Sequence, residues 1–315
     1  MDAPSHAGVR GEVVLLTDHS SREGSGAVLA TAIEALTGHP PALLDARHFM
    51  TDSGAVRVDG GRLGFEMPDE NRTVAPSVVI IYEIPPTRRR AFEGFQGLLR
   101  RHGVRSLGTD TQAWRAATEK DITVEVFARE GIPHMQTIGL TRPTPQEACS
   151  AFNRLGGNVW ARPNVGMGGN DVFHITTRTR LLEASRYYAE TEQNWLISRD
   201  AENFDSTGRR HQFRVVVLNG QILRVCEHIQ ADDDAPCNEG QGAVSTELSA
   251  DELPAELAQL AVSATKALGL PFAGVDLVPE SGGVVFEVNV HPTIAPGNSL
   301  ATVAIPYVAA HLAAR

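Results

Sequence analysis

Cysteine is scarce in this chain. Cys149, Cys226 and Cys237 are odd in number and lack CxxC spacing, so neither a disulfide framework nor a thiolate zinc site is indicated, and a reducing cytoplasm suits this usage. Basic charge is also in deficit. The 28 Lys and Arg stand against 38 Asp and Glu, which argues against gripping nucleic-acid phosphates by bulk charge. No window approaches the ~18 consecutive apolar residues of a membrane helix. The N-terminal MDAPSHAGVRGEVVLLTDHS has no basic region followed by a long apolar stretch, so no signal peptide is expected. The usual nucleotide fingerprints are missing as well: REGSGAVLA carries Gly24 and Gly26 without the third glycine of GxGxxG, and GxxxxGK[ST] does not occur. No Ser-His-Asp or Cys-His pattern can be assembled from spacing.

What is present is an ordinary alternation of elements. With 315 residues, 42% of them hydrophobic, the chain can bury a sizeable core divided among two or three subdomains. Glu12 to Thr17 reads as a buried strand, and Gly26 to Leu36 as a helix closed by Gly38. Leu43-Leu44 suits a second strand. SVVIIYEIPP, residues 77–86, has the continuous Val/Ile run of a strand covered on both faces. A helix over 91–102 completes a small α/β layer by about residue 110. Two helices are expected from Thr111 and Asp121, the second stopped by Gly131-Ile132-Pro133. A strand over 159–163 leads into the glycine-rich NVGMGGNDVF. A helix over 180–190, a strand over 195–198, and a hairpin turning at Asn219-Gly220 follow. A helix over 251–268 and the strands FAGVDLV and GVVFEVN come last.

The chemistry concentrates in those last two strands. In Glu287-Val288-Asn289 an acid and an amide sit at i and i+2, hence on one face of the strand, away from Phe286 and Val288. A turn through Glu280 to Gly283 brings the strand of Asp276 alongside, at about 5 Å. Two carboxylates at that range repel unless a cation lies between them, and oxygen-only ligands favour magnesium, manganese or calcium over zinc. Arg162 precedes Gly166, Gly168 and Gly169, whose backbone N–H groups could approach anionic oxygens, although such a loop is also an ordinary hairpin turn. Lys120 and Arg214 are further cations. Arg214 lies in an apolar strand, where it requires an anionic partner, internal or bound. His211, His228 and His291 could act as bases or be structural.

This order of features resembles the ATP-grasp superfamily and, within it, the RimK-like carboxylate-amine ligases, over roughly residues 110 to 300. AGVDLV followed by VFEVNVHP carries the resemblance. It implies an α/β protein with α+β subdomains: an N-terminal pre-ATP-grasp domain over 1–110, a central subdomain over 111–195, and a C-terminal subdomain over 196–315. It further implies Asp276, Glu287 and Asn289 as ligands of Mg2+, with Mn2+ as a substitute. Lys120 and Arg162 would bind ATP, together with Gly166, Gly168 and Gly169 as a lid loop. Trp195 and Ile197 would lie in a hinge strand holding adenine through its backbone, and Asn238 would lie near nucleotide or metal. Arg214 and Asn289 would be catalytic. Two positions depart from the family pattern: Gln212 stands where relatives have an aspartate, and Gln241 where they have an arginine.

The implied activity is activation of a carboxylate as an acyl phosphate and its capture by an amine. Amino acids, small peptides or natural-product precursors are the implied substrates. Ring closure within one molecule, precursor-peptide modification, phosphotransfer and non-catalytic ATP binding are the alternatives. A homo-oligomer in the cytoplasm is expected, without nucleic-acid or membrane partners. The polar segments 200–210 and 231–243 are expected to be mobile and to select the acceptor.

Overall fold

The computed structural model describes residues 12–50, 55–67, 72–294 and 299–314. Two compact units emerge, Met1–Thr111 with Thr293–Arg315, and Gln112–Pro292.

In the first unit, β1 (Glu12–Thr17) lies between β2 (Ala42–Asp45) and the later strand β6 (Pro76–Tyr82), parallel to both. Val14, Leu15 and Leu16 are fully buried, as a strand covered on both faces requires. The helix α1 (Ser25–Thr37) ends at Gly38, whose φ of 79° lets its N–H turn back to the carbonyl of Glu34. Between β2 and β6 the chain forms a small antiparallel sheet of β3 (Val56–Asp59), β4 (Arg62–Met67) and β5 (Arg72–Val74). These short strands were not foreseen, although Leu63, Phe65 and Met67 alternate with Gly64 and Glu66 along β4 and are buried on one face. Phe65 anchors the sheet against Phe49 and, from α2 (Glu93–Arg101), Phe95, at ring separations of 5.2 and 5.5 Å.

The second unit opens with α3 (Thr111–Thr118) and α4 (Lys120–Glu130). Four antiparallel strands follow in the order β7-β10-β8-β9: β7 (Thr137–Leu140), β8 (Val159–Pro163), β9 (Phe173–Ile175) and β10 (Trp195–Arg199). The helices α5 (Pro145–Arg154) and α6 (Arg178–Glu190) bury Phe152, Leu181 and Tyr188 with Trp195 and Ile197 in one core. The other sheet runs β13-β12-β11-β14-β15. It comprises β11 (Arg210–Leu218), β12 (Gln221–Gln230), β13 (Val244–Leu248), β14 (Phe272–Val278) and β15 (Val284–Asn289), with α7 (Ala255–Ala267) packed on β14, β11 and β15. Among the described residues no helix is long and apolar enough to cross a membrane.

Two expected boundaries shift. The break at 195/196 falls inside β10, which is paired on both sides and belongs wholly to the four-stranded sheet. Residues 293–315, expected at the end of the C-terminal subdomain, join the first unit instead. There Ile294 N–H donates to Ser25 Oγ at 3.0 Å, and α8 (Ile305–Ala313) sets Tyr307 edge-on to Tyr82 at 5.5 Å. Residues 300–304 form a π-helical turn leading into α8. The apolar face of α8 states that it must be buried but not against which core.

Candidate active site

Register places the central residues in one row. Arg214 on β11 is opposite Asp276 on β14, and Asp276 is opposite Glu287 on β15, with Asn289 two residues beyond. The predicted hairpin thus pairs as read, and each of the two carboxylates has a cationic side chain beside it. Arg214 grips Asp276 through two hydrogen bonds, Nε to Oδ1 at 2.6 Å and Nη2 to Oδ2 at 2.7 Å. Lys120, at the start of α4, places Nζ 2.9 Å from Glu287 Oε1. Asn289 donates through Nδ2 to Asp276 Oδ2 at 3.2 Å. Arg162 donates to the Phe286 carbonyl at 2.9 Å, while its buried Nε has no partner among the described residues.

Burial shapes the electrostatics. Desolvation pulls the Arg214 guanidinium down, but the Asp276 charge more than offsets it and holds the group above its usual range. Arg162 is shifted downward by burial, which the charges of Glu287 and Asp276 only partly oppose. For Glu287 burial pushes upward, and the charges of Lys120 and Arg162 bring it below the ordinary glutamate value.

The row lies in a cleft that encloses about 1100 Å³ of space, counting the part open to solvent. Its lining combines the apolar side chains of Phe127, Met135, Trp160 and Phe286 with the charged groups of Lys120, Arg162, Arg214, Asp276 and Glu287. Apolar surface and charged groups in one cleft suit a ligand with an aromatic ring and an anionic tail. Trp195 and Ile197 do not face this cleft. Their side chains are in the core beneath the sheet, Trp195 stacked on Tyr188 at 4.9 Å, and their backbones are committed to β7 and β8. The wall there is formed by Ser198, Arg199, Ala201 and Asn203, where the chain leaves the strand.

The loop carrying Gly166, Gly168 and Gly169 lies against residues 236–241. A Cβ on Gly169, whose φ is 70°, would sit 2.9 Å from Gln241 Cγ and 3.0 Å from Pro236 Cγ. Asn238 lines the cleft, and its Oδ1 accepts from Gly240 N–H at 2.9 Å, fixing its own turn. The neighbouring polar segments are tied down. Arg210 is buried, pairs with Asp200 and Asp233 at 2.7 Å each, and lies between the rings of Trp160 and Phe204. His174, stacked on Trp160, reaches Asp234 at 2.8 Å and Asp200 at 3.3 Å. Asp200, Arg210 and His174 were missed in the sequence. Arg210 opens its strand among polar neighbours, Arg209, His211 and Gln212, so it lacks the apolar setting that singles out Arg214.

His211 pairs with Glu227 and Glu280 at 2.9 and 3.0 Å, while His291 packs edge-on to Trp114. His228 is buried, on the strand position opposite Gln212. Among the described residues no cluster of three or more His, Cys, Asp and Glu is placed to hold a metal ion. The candidate set is two carboxylates and an amide.

Two sheets facing across a cleft of paired cations and carboxylates define the class of the ATP-grasp proteins. D-alanyl-alanine synthetase A from Vibrio cholerae has a similar fold, with a TM-score of 0.68 at 17% identity over 95% of this chain and 96% of that one. The ATP-grasp ligase PsnB complexed with its minimal precursor also gives 0.68, at 16% identity over 97% and 99%. More particularly, the chain belongs to the RimK-like ATP-grasp family, whose domain pattern matches residues 117–305. A probable alpha-L-glutamate ligase of Haemophilus influenzae (strain PittEE) is 34% identical over 99 residues, 30% of this chain and 32% of that relative, so the match spans about a third of the relative's length. This membership makes ATP and Mg2+ the expected cofactors. The residues fit them: Asp276, Glu287 and Asn289 offer the all-oxygen set a hard cation requires, and the unpartnered Arg162 Nε is a donor available to a phosphate.

Proposed function

We propose that this protein is an ATP-dependent ligase that joins a carboxylate to an amine on an amino acid, a small peptide or a natural-product precursor. The row Arg214–Asp276–Glu287, flanked by Lys120 and Arg162 in one buried cleft, carries the reading. A substrate carboxylate oxygen bonds to the γ-phosphorus of ATP as the bond to the bridging oxygen breaks, giving an acyl phosphate and ADP. An amine nitrogen then attacks the acyl carbon, phosphate leaves, and the nitrogen loses its proton.

Bound Mg2+ supplies charge neutralisation on the phosphates. Asp276, Glu287 and Asn289 would hold it. Lys120 and Arg162 would orient the anionic tail, and Arg214 would face the charge that develops during transfer. Adenine would lie against the apolar part of the lining that includes Met135 and Phe286, with the backbone after Ser198 in place of the expected Trp195 and Ile197. The loop 166–170 would keep water from the acyl phosphate. The test is ADP release from Mg-ATP with pools of amino acids and peptides supplied in pairs, followed by mass analysis. A stimulating pair should yield a product one water lighter than its sum. A phosphorylated product without any amide would overturn the ligase reading.

A further inference from the structure

The glycine-rich loop is fastened to the opposite wall of the cleft by a neutral side chain. Gln241 donates through Nε2 to the carbonyl of Gly168 at 3.2 Å and lies 3.3 Å from Asn170 Oδ1. Its own backbone is braced from below: the buried Gln230 donates to the Gln241 carbonyl at 2.9 Å and to that of Pro236 at 3.3 Å, while its Oε1 accepts from Asp232 N–H. The approach is close enough that only a hydrogen fits on the α-carbon of Gly169. Loop, side chain and brace therefore form a continuous connection from β12 to the roof of the cleft.

We infer that Gln241 is a positioning residue that holds loop 166–170 over the cleft through its carboxamide. A cation at this position would add charge to the roof. The amide instead closes it without competing for the phosphates, so loop closure and phosphate binding are carried by different side chains. Closure belongs to Gln241, and phosphate contact to Arg162 and Lys120. Catalytic consequences of this division rest on the ligase reading, but the loop contact itself does not.

The test is hydrogen exchange of the backbone amides of 166–170 in the ligand-free full-length protein, comparing wild type with Gln241→Ala and Gln241→Glu. Loss of two neutral hydrogen bonds should speed exchange roughly fivefold in both variants. The glutamate keeps the shape but not the donor, so it separates hydrogen bonding from packing. Exchange unchanged in Gln241→Ala overturns the inference, and wild-type protection in Gln241→Glu overturns the carboxamide's part in it. In the same proteins the ratio of ADP to amide formed should rise in the variants as water reaches the acyl phosphate, with KM for ATP little changed. If wild type makes neither ADP nor amide with any acceptor, the ligase reading fails while the exchange result still decides the contact.

Discussion

Arg214 and Asp276 face each other across adjacent antiparallel strands, and two short hydrogen bonds join them at the centre of the cleft. A guanidinium and a carboxylate in parallel contact are individually costly to bury and mutually dependent once buried.

Arg214→Ala should therefore affect both stability and turnover. Leaving Asp276 buried without its main partner should cost about 3 kcal/mol in unfolding free energy, and ADP release should fall at least ~100-fold. The paired geometry predicts that both fall together. Urea unfolding beside steady-state turnover separates them; normal turnover in a destabilised protein would leave Arg214 only a structural part.

Glu287→Gln tests the proposed metal site. The variant keeps the shape of β15 but removes one negative charge, so added Mg2+ should raise the melting temperature less than in wild type. Turnover should fall at least ~100-fold. Lys120, left without its ion-pair partner, should cost about 1 to 3 kcal/mol. An undiminished Mg2+ response in calorimetry would move the metal elsewhere.

His174 makes the 232–234 loop pH-sensitive. A hydrogen bond to Asp200 raises the imidazole, burial opposes this, and Asp234 raises it further, so the folded-state value lies above the ordinary 6.5. Stabilisation by the charged imidazole is therefore complete below pH 6.5 and lost as pH rises through the folded value. Protection of the amides of residues 232–234, taken relative to their intrinsic exchange rate at each pH, should fall over that range, and His174→Gln should flatten the protection profile. Arg210 also faces His174 and limits the rise, so Arg210→Met should move the transition to higher pH. Protection that stays constant with pH in wild type would rule the histidine out.

His311 acts in the opposite direction in the first unit. It is fully buried on α8, with Nδ1 donating to the Tyr307 carbonyl at 3.1 Å and Nε2 without a partner among the described residues. Burial lowers it to about 4. Its contribution is complete above pH 6.5 and declines as pH falls toward 4, by about 3 kcal/mol in all. His311→Phe should shallow the acid limb of stability against pH. Parallel limbs in the two proteins would show that acid unfolding has another source.

Much of the core of this fold was legible where one physical rule acted alone. The continuous Val/Ile run of β6 announced burial on both faces, Asn219-Gly220 marked its hairpin, and the i, i+2 pair in Glu287-Val288-Asn289 gave the register of β15. The partner of α8 was not legible, because several burial sites were open to the same apolar segment, and β4 was overlooked although Leu63, Phe65 and Met67 alternate along its six residues. The helix α5 was missed although Thr144 and Glu147 form a capping box at its start. The resemblance implies a hinge strand at Trp195 and Ile197, but their apolar side chains are what the core takes up, and Ser198, Arg199, Ala201 and Asn203 line the cleft instead. The acidic run 232–234 suggested acceptor selection, but Asp233 and Asp234 are occupied with Arg210 and His174.

The grip of Arg214 on Asp276 has a consequence for ligand entry on the proposed metal assignment. The carboxylate is not waiting empty: both oxygens already accept from Arg214, and Oδ2 also from Asn289, so a divalent ion held there would share them with these donors or displace them, and its apparent affinity would be reduced accordingly. A guanidinium freed in this way would remain within the same cleft, where a phosphate-bearing ligand could take up its charge.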